Sequence, residues 1–190
     1  KIANSNEKIG ILGPKTYYVD PSNMIYYAGG KINWYTGQPK HIGQKKVDKG
    51  QYDQISNVDF IAGSCMLIKK EVIEQIGLLP NDYFLLWEDI DYSVKANRNG
   101  FELVYVPDSK IWHKESASIK TIKHRRLFFS ARNRLIFHKK YASRLQYFCS
   151  STFFIFYHLP LSCLYLYTIS KNIDVYTYSL KGLYKGIFSK

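Results

Sequence analysis

Twenty-six consecutive residues late in the chain, Leu145 to Ser170, contain no Lys, Arg, Asp or Glu and are crowded with Phe, Tyr and Leu. Such a run must be covered by protein or meet lipid, and roughly 20 mainly apolar residues suffice to cross a bilayer. Ser150, Ser151, Thr152, His158, Pro160 and Ser162 dilute it, and Pro160 is expected to kink a helix. Three arrangements fit: a helix lying in the membrane interface or re-entering it, a true span, and a helical subdomain packed on the protein. The flank favours the first. Residues 120–144 carry nine Lys/Arg and no acid in a helical pattern, and aromatic residues beside a cationic flank mark an interfacial helix.

That flank also explains the net charge of +12. From Lys1 to Ile119 there are 14 basic and 14 acidic residues, whereas from Lys120 to Lys190 there are 13 basic residues against the single acid Asp174. A block of this kind suits nucleic acid or an anionic membrane surface. The cations flank an apolar run and are not interleaved with isolated stacking aromatics. An anionic membrane surface is therefore the expected partner, and nucleic acid is not. Two regions follow: 1–119, balanced in charge, and 120–190, a basic helix with an aromatic, membrane-associating tail.

The first region intermingles strands and helices, which points to an α/β layer fold. "IGILGPKTYYV" reads as a buried strand over Ile9 to Leu12, a Gly-Pro turn and a second strand. "MIYYAGGKINWY" reads as a hairpin about Gly29-Gly30, and residues 36–56 as a long loop. "VDFIAGSCMLIKKEVIEQIGLL" gives a strand, a small-residue turn at Ala62-Gly63-Ser64, a strand to Ile68, and a short helix ending at Gly77. A second helix is predicted from about Glu88 to Asn99 with Gly100 as its stop. After it, "FELVYVP" is predicted to alternate, burying Phe101, Val104 and Val106. Three scattered cysteines, Cys65, Cys149 and Cys163, suggest neither a zinc site nor a disulfide framework, and so a reducing compartment. Lys1-Ile2-Ala3-Asn4 shows no apolar leader and no initiator Met.

The chemistry concentrates in "DYFLLWEDIDYSVKANRNGFELVYVPDSKIWH", where an apolar run ends on Glu88, Asp89 and Asp91. An ionised carboxylate is costly to bury unless paired. At a helix start the dipole and backbone N–H groups lower a carboxyl pKa. Apolar neighbours (Phe84, Leu86, Trp87) and an ionised Glu88 raise it. Opposed in this way, the two effects leave Asp89 ionised yet basic enough to accept a hydroxyl proton, a role typically worth ~10²–10⁴-fold in rate. The plain alternative is that Glu88 and Asp89 are ordinary first-turn acids. His113 is likewise either a half-buried strand residue or a ligand for a divalent metal.

The ordered series of motifs decides more than any single one. "GSCMLIKK" after a strand, "IGLLPNDYF", "WEDIDYSVKANRNGFELVYVP", the closing "IWH" and the later "ARN" resemble family 2 glycosyltransferases, over about residues 8–140. The nearest likeness is to rhamnosyltransferase-like members that build bacterial surface polysaccharides. The resemblance implies the acceptor-side half of a GT-A fold, a mixed sheet with flanking helices. It implies that Asp89 is the catalytic base and Glu88 a supporting acid. Gly63 and Ser64 would lie against donor and acceptor, with Trp87 as an acceptor-side wall. Arg132, next to Asn133, would bind a diphosphate, unless it belongs to a solvated basic helix face. His113 would join a divalent metal, Mn2+ or Mg2+, that holds the donor diphosphate.

By the same resemblance the partners are a nucleoside-diphosphate sugar and a saccharide or polyprenyl-linked acceptor, and the place is the cytoplasmic face of the plasma membrane. The nucleotide-binding half and its upstream Asp-x-Asp metal motif are not in this sequence, since the "DID" of Asp89-Ile90-Asp91 belongs to the base motif. The chain is accordingly expected to be a C-terminal part, inactive alone. The alternative function is a non-catalytic, membrane-attached binding module.

Overall fold

The computed structural model describes residues 1–114 and 123–189, and these fall into two units. The first comprises Lys1–Ile32, Pro39–Asn81 and the chain from Glu88 through the last strand. The second comprises Asn33–Gln38, Asp82–Trp87 and the helices from Lys123 onward. Two short segments of the early chain thus group with the helices.

The first unit is built on β1 (Ile9–Tyr18), β2 (Ile25–Tyr27), β5 (Ser56–Asn57), β6 (Leu67–Ile68) and β7 (Glu102–His113). They form one sheet in the order β2-β1-β7-β5, with β6 also pairing β1. The β1–β7 pair is parallel and the others antiparallel. A separate two-stranded ribbon joins β3 (Gly30–Asn33) to β4 (Gln38–His41). Helices α1 (Lys70–Ile76) and α2 (Glu88–Arg98) complete the unit. Their apolar residues Val72, Ile76, Ile90, Tyr92 and Val94 are buried. Helix α2 starts at the expected acid and is followed by Gly100 at φ 92°, a left-handed position that glycine occupies without steric cost.

Three local expectations are corrected. Gly13-Pro14 does not turn: β1 runs through it, and the β1–β7 register shifts between Pro14 and Lys15 instead. A bulge of this kind lets a residue without an N–H stay within a strand. Gly29 does not close a hairpin. At φ 114° it redirects the chain from β2, which pairs with β1, to β3, which pairs with β4. Leu103, Val104 and Tyr105 are all buried, so β7 does not alternate. It is an interior strand of the sheet, and successive residues that point to opposite faces are all buried, as in strands covered on both faces, which carry continuous apolar runs.

The second unit contains α3 (Lys123–Tyr141), α4 (Arg144–Phe153), α5 (Leu159–Ser170) and α6 (Asp174–Ile187). Ser143 caps α4 in a capping box with Gln146, which fixes the chain's reversal after α3. A π-helical stretch, Phe154–His158, joins α4 to α5 just before Pro160. This is how the helix continues through a residue that cannot donate a hydrogen bond. Arg144–Ile169 is long and apolar enough to cross a membrane by length and composition, and 17% of its most apolar window is buried. A core of Ala131, Leu135, Phe154, Leu159, Cys163 and Val175 holds these helices together.

Candidate active site

In the first unit, α2 presents Asp89 from its first turn toward the bend at Ala62-Gly63-Ser64. The Gly63 N–H donates to Asp89 Oδ2 at 2.7 Å, and the Ile90 N–H donates to Oδ1 at 2.8 Å. A Cβ added at Gly63 would stand 3.3 Å from both Asp89 Cβ and Oδ2, so a larger residue here would push the Asp89 carboxylate by a few tenths of an ångström. Ile61 N–H donates to Ser93 Oγ at 3.1 Å, which ties the same bend to the second turn of α2.

Burial pushes the Asp89 carboxyl above the ordinary aspartate range, against the lowering effect of the Gly63 and Ile90 N–H groups and of His41. Glu88 is also raised, by burial and then by the charge of Asp89. Both bonded oxygens of Asp89 keep a further lone pair, so the carboxylate can accept another proton donor. Glu88 Oε2 and Ser64 Oγ are buried without a hydrogen-bond partner among the described residues. Each is the chain neighbour of one half of the Gly63–Asp89 pair. Buried polar atoms are ordinarily satisfied, and two orphans flanking one carboxylate mark a place where a hydroxyl-rich ligand would supply the missing bonds.

His41, at the end of β4, and Tyr27, at the end of β2, complete the group. The His41 ring lies 5.1 Å from Tyr26, 5.2 Å from Tyr27 and 5.7 Å from Phe60, and its Nδ1 is 3.3 Å from the Tyr26 carbonyl. Tyr27 donates its hydroxyl to the Phe60 carbonyl at 2.7 Å. Burial and then the charge of Asp89 raise its pKa far above the ordinary tyrosine value. Neither residue was singled out in the sequence, because both sit in short strands with no local motif. The signal was only that an aromatic and a histidine precede a bend of small residues.

Of the residues expected to form the site, Gly63, Ser64, Glu88 and Asp89 are brought together. His113 stands at the end of β7 with its ring 5.3 Å from Tyr26, so it meets the group through Tyr26 and not directly. Among the described residues no cluster of three or more His, Cys, Asp or Glu could hold a metal. His113 by itself does not make a metal site, and the expected Mn2+ or Mg2+ does not fit these residues alone.

Trp87 and Arg132 belong to the second unit. The Trp87 ring is 7% exposed and packs 5.2 Å from Phe137 and 6.0 Å from His138. The face expected to wall an acceptor is thus occupied by α3. Arg132 donates to the Asp82 carbonyl at 2.9 Å and to Asn133 Oδ1 at 2.9 Å. Asn133 in turn donates to the carbonyls of Tyr83, Leu85 and Leu86 at 3.0, 2.8 and 2.9 Å. Phe84, Leu86 and Trp87 have φ of 59°, 67° and 77°, a region that costs non-glycine residues about 1–3 kcal/mol each. The "ARN" motif is therefore, in this structure, the clamp on the strained segment that leads into Glu88-Asp89.

Comparison with known proteins agrees with the resemblance. The family described as "Glycosyltransferase like family 2" matches residues 3–135. The chain is similar to an N-acetylglucosaminyl-diphospho-decaprenol L-rhamnosyltransferase of Mycobacterium tuberculosis, 31% identical over 61 residues, 32% of this chain and 20% of that protein. It is 30% identical over 80 residues to a galactofuranosyltransferase of the same organism, 42% of this chain and 12% of the relative. It is 33% identical over 64 residues to a low-salt glycan biosynthesis hexosyltransferase of Haloferax volcanii, 34% of this chain and 21% of the relative. The matched stretches thus span about a fifth or less of these relatives.

Proposed function

Because the chain belongs to glycosyltransferase-like family 2, we propose that it carries the catalytic-base half of an enzyme that moves a sugar from a nucleoside diphosphate to a saccharide hydroxyl. The observation that carries this reading is Asp89, half-buried, fixed by two backbone N–H groups and flanked by unpartnered Ser64 Oγ and Glu88 Oε2. The acceptor hydroxyl gives its proton to an Asp89 oxygen as its own oxygen bonds to the anomeric carbon. The bond from that carbon to the diphosphate breaks, and the nucleoside diphosphate leaves with the electron pair. A single displacement inverts the anomeric centre. Glu88 and Ser64 hold neighbouring hydroxyls of the sugar, and no step is assigned to a metal.

The acceptor we propose is lipid-linked. Its support is the second unit, where Phe148 of α4, Phe156 of the π-helical stretch, Leu164 and Ile169 of α5 and Phe188 just after α6 are exposed beside a cationic flank. Such a surface suits the membrane interface, on the cytoplasmic side where nucleoside-diphosphate sugars are made. The relative that acts on a diphospho-decaprenol substrate agrees with this choice.

The test is sugar transfer by the intact native gene product to a lipid-linked saccharide, with kcat/KM followed against pH. The expected profile has an acid limb above the ordinary aspartate range, because protonating Asp89 removes the base. A rate independent of pH across that limb, or no transfer with any nucleoside-diphosphate sugar, would overturn the proposal and leave a binding module.

A further inference from the structure

In the second unit, α6 lies on α3 with almost no space between their backbones. A Cβ at Gly182 would come within 2.2 Å of the Phe128 carbonyl oxygen, and one at Gly186 within 2.9 Å of the Arg132 carbonyl oxygen. Larger side chains cannot enter that seam, so Phe128, Tyr178 and Lys181 stand to its sides. They bound a cavity of about 400 Å³ whose other walls are Phe84, Phe129 and Arg125. A second cavity of about 390 Å³ shares Phe128 and Lys181 and continues along α6 past Leu180, Tyr184 and Lys185. Together they make one elongated trough with aromatic walls and three cations.

The chemistry of the trough is one-sided. No acid lines it, and neither Arg125, Lys181 nor Lys185 forms an ion pair with an acid among the described residues. The Lys181 ammonium lies over the Tyr178 ring, 5.6 Å from its centre, with its charge still to be met. Phe84 is 73% exposed and Tyr184 61% exposed. A protein segment would bring backbone groups that need hydrogen bonds, and these walls offer few. An anionic head on a long hydrocarbon chain meets both demands, because a phosphate binds Arg and Lys and the chain covers the rings.

We propose that the α3–α6 trough binds the phosphate end of a polyisoprenoid lipid, with Arg125, Lys181 and Lys185 on the phosphate and Phe84, Phe128 and Phe129 on the first units of the chain. This rests on the reading of a lipid-linked acceptor and adds where its lipid is held.

The experiment is equilibrium binding of the full chain to phosphatidylcholine vesicles doped with polyprenyl phosphate. The comparison vesicles carry phosphatidylglycerol at the same charge density. Polyprenyl phosphate should bind roughly tenfold or more tightly, and Arg125→Gln with Lys181→Gln should remove that preference, at about fivefold per lost cation. Phe84→Ala, at an exposed ring, should weaken the same preference without changing the circular dichroism. Equal binding to both vesicles would overturn the proposal in favour of a general anionic surface. Displacement by inorganic phosphate alone would overturn it in favour of a free-phosphate site. No chemistry is needed for the readout, so selective binding together with no sugar transfer by the intact gene product would sink the transferase reading and leave the lipid site standing. Transfer to a lipid-free saccharide with no selective binding would do the reverse.

Discussion

Each unit buries a cation, and the two are handled in opposite ways. In the first, Lys15 on β1 is fully buried and donates to Asp48 at 2.9 Å and to Asp53. Burial works against its charge, but the bonds to Asp53 and Asp48 overcome it and hold its pKa above the ordinary lysine value. In the same network burial favours a neutral Asp48, yet bonds from Tyr17 and Lys15 hold that carboxyl down at about 2. In the second unit, Arg134 on α3 is 6% exposed, donates to the Thr36 carbonyl at 2.6 Å and lies 4.5 Å over the Phe154 ring. Among the described residues no acid pairs with it, and burial lowers its pKa to about 10. His138, one turn on, is pushed down to about 4 by burial and then by Arg134.

The difference follows from composition. The first 119 residues match every cation with an acid, while the rest of the chain has one acid in all. A region so poor in carboxylates stabilises a buried cation with a carbonyl and a ring, as at Arg134, or keeps a titratable group neutral, as at His138. It also leaves its remaining cations available to external anions. That connects the charge pattern to the proposed phosphate trough.

The largest expected effect comes from breaking the paired cation. Lys15→Met takes the ionic partner from Asp48 and leaves it the Tyr17 hydroxyl and the Gly50 N–H, so the loss should lie toward the lower end of the range of about 3–5 kcal/mol typical for losing one partner of a buried pair. Arg134→Met removes a charge with no ionic partner and should cost clearly less. Urea denaturation of both variants checks this, and equal losses would contradict the contrast.

Acid should sharpen it next. His138 has an ordinary pKa of 6.5 and about 4 in the fold. Below pH 6.5 the unfolded chain takes up a proton that the fold refuses, so stability declines as pH falls toward 4. The full window is worth roughly 3 kcal/mol. Asp48 moves from 3.8 to about 2, so its contribution is complete above pH 3.8 and is lost only as pH falls toward 2. Peptide-resolved hydrogen exchange should therefore show the helical unit loosening at higher pH than the sheet unit. His138→Phe should shrink the first step, leaving the smaller part that His158, also held down by burial and then by Arg134, contributes.

A smaller effect is expected from Asn133→Ala. It leaves the carbonyls of Tyr83, Leu85 and Leu86 without their shared donor, and stranded buried polar groups cost about 1–3 kcal/mol. A thermal melt reads this directly, and a neutral substitution would mean that the positive-φ segment holds itself. The smallest is Gly63→Ala. The new methyl would crowd Asp89 by a few tenths of an ångström, so kcat should fall while the melting temperature barely moves.

Much of the site was legible because it is local. A helix start with clustered acids places Asp89 by sequence alone, and the small-residue bend at Gly63 could be predicted to admit a close neighbour. Helix α2 ended where Gly100 said it would. Pairing was not legible. Nothing near Gly29 says that β2 joins β1 and β3 joins β4, and nothing near 103–105 says that β7 is an interior strand with both faces buried. The packing of Trp87 was not legible for a similar reason. An aromatic before two acids reads as a pocket wall, but the left-handed turn at Phe84, Leu86 and Trp87 sends its ring onto Phe137. That turn depends on Asn133, 46 positions later, and no local pattern announces it.

The central claim is a division of labour: Asp89 in the sheet unit does the chemistry, and the cationic, aromatic helices hold the membrane side. The most direct measurement takes Asp89→Asn in the intact gene product through two assays, sugar transfer and binding to polyprenyl-phosphate vesicles. The account predicts that transfer falls by at least about 10²-fold while vesicle binding is unchanged. Transfer that survives the substitution would contradict Asp89 as the base, and vesicle binding lost along with it would contradict the division itself.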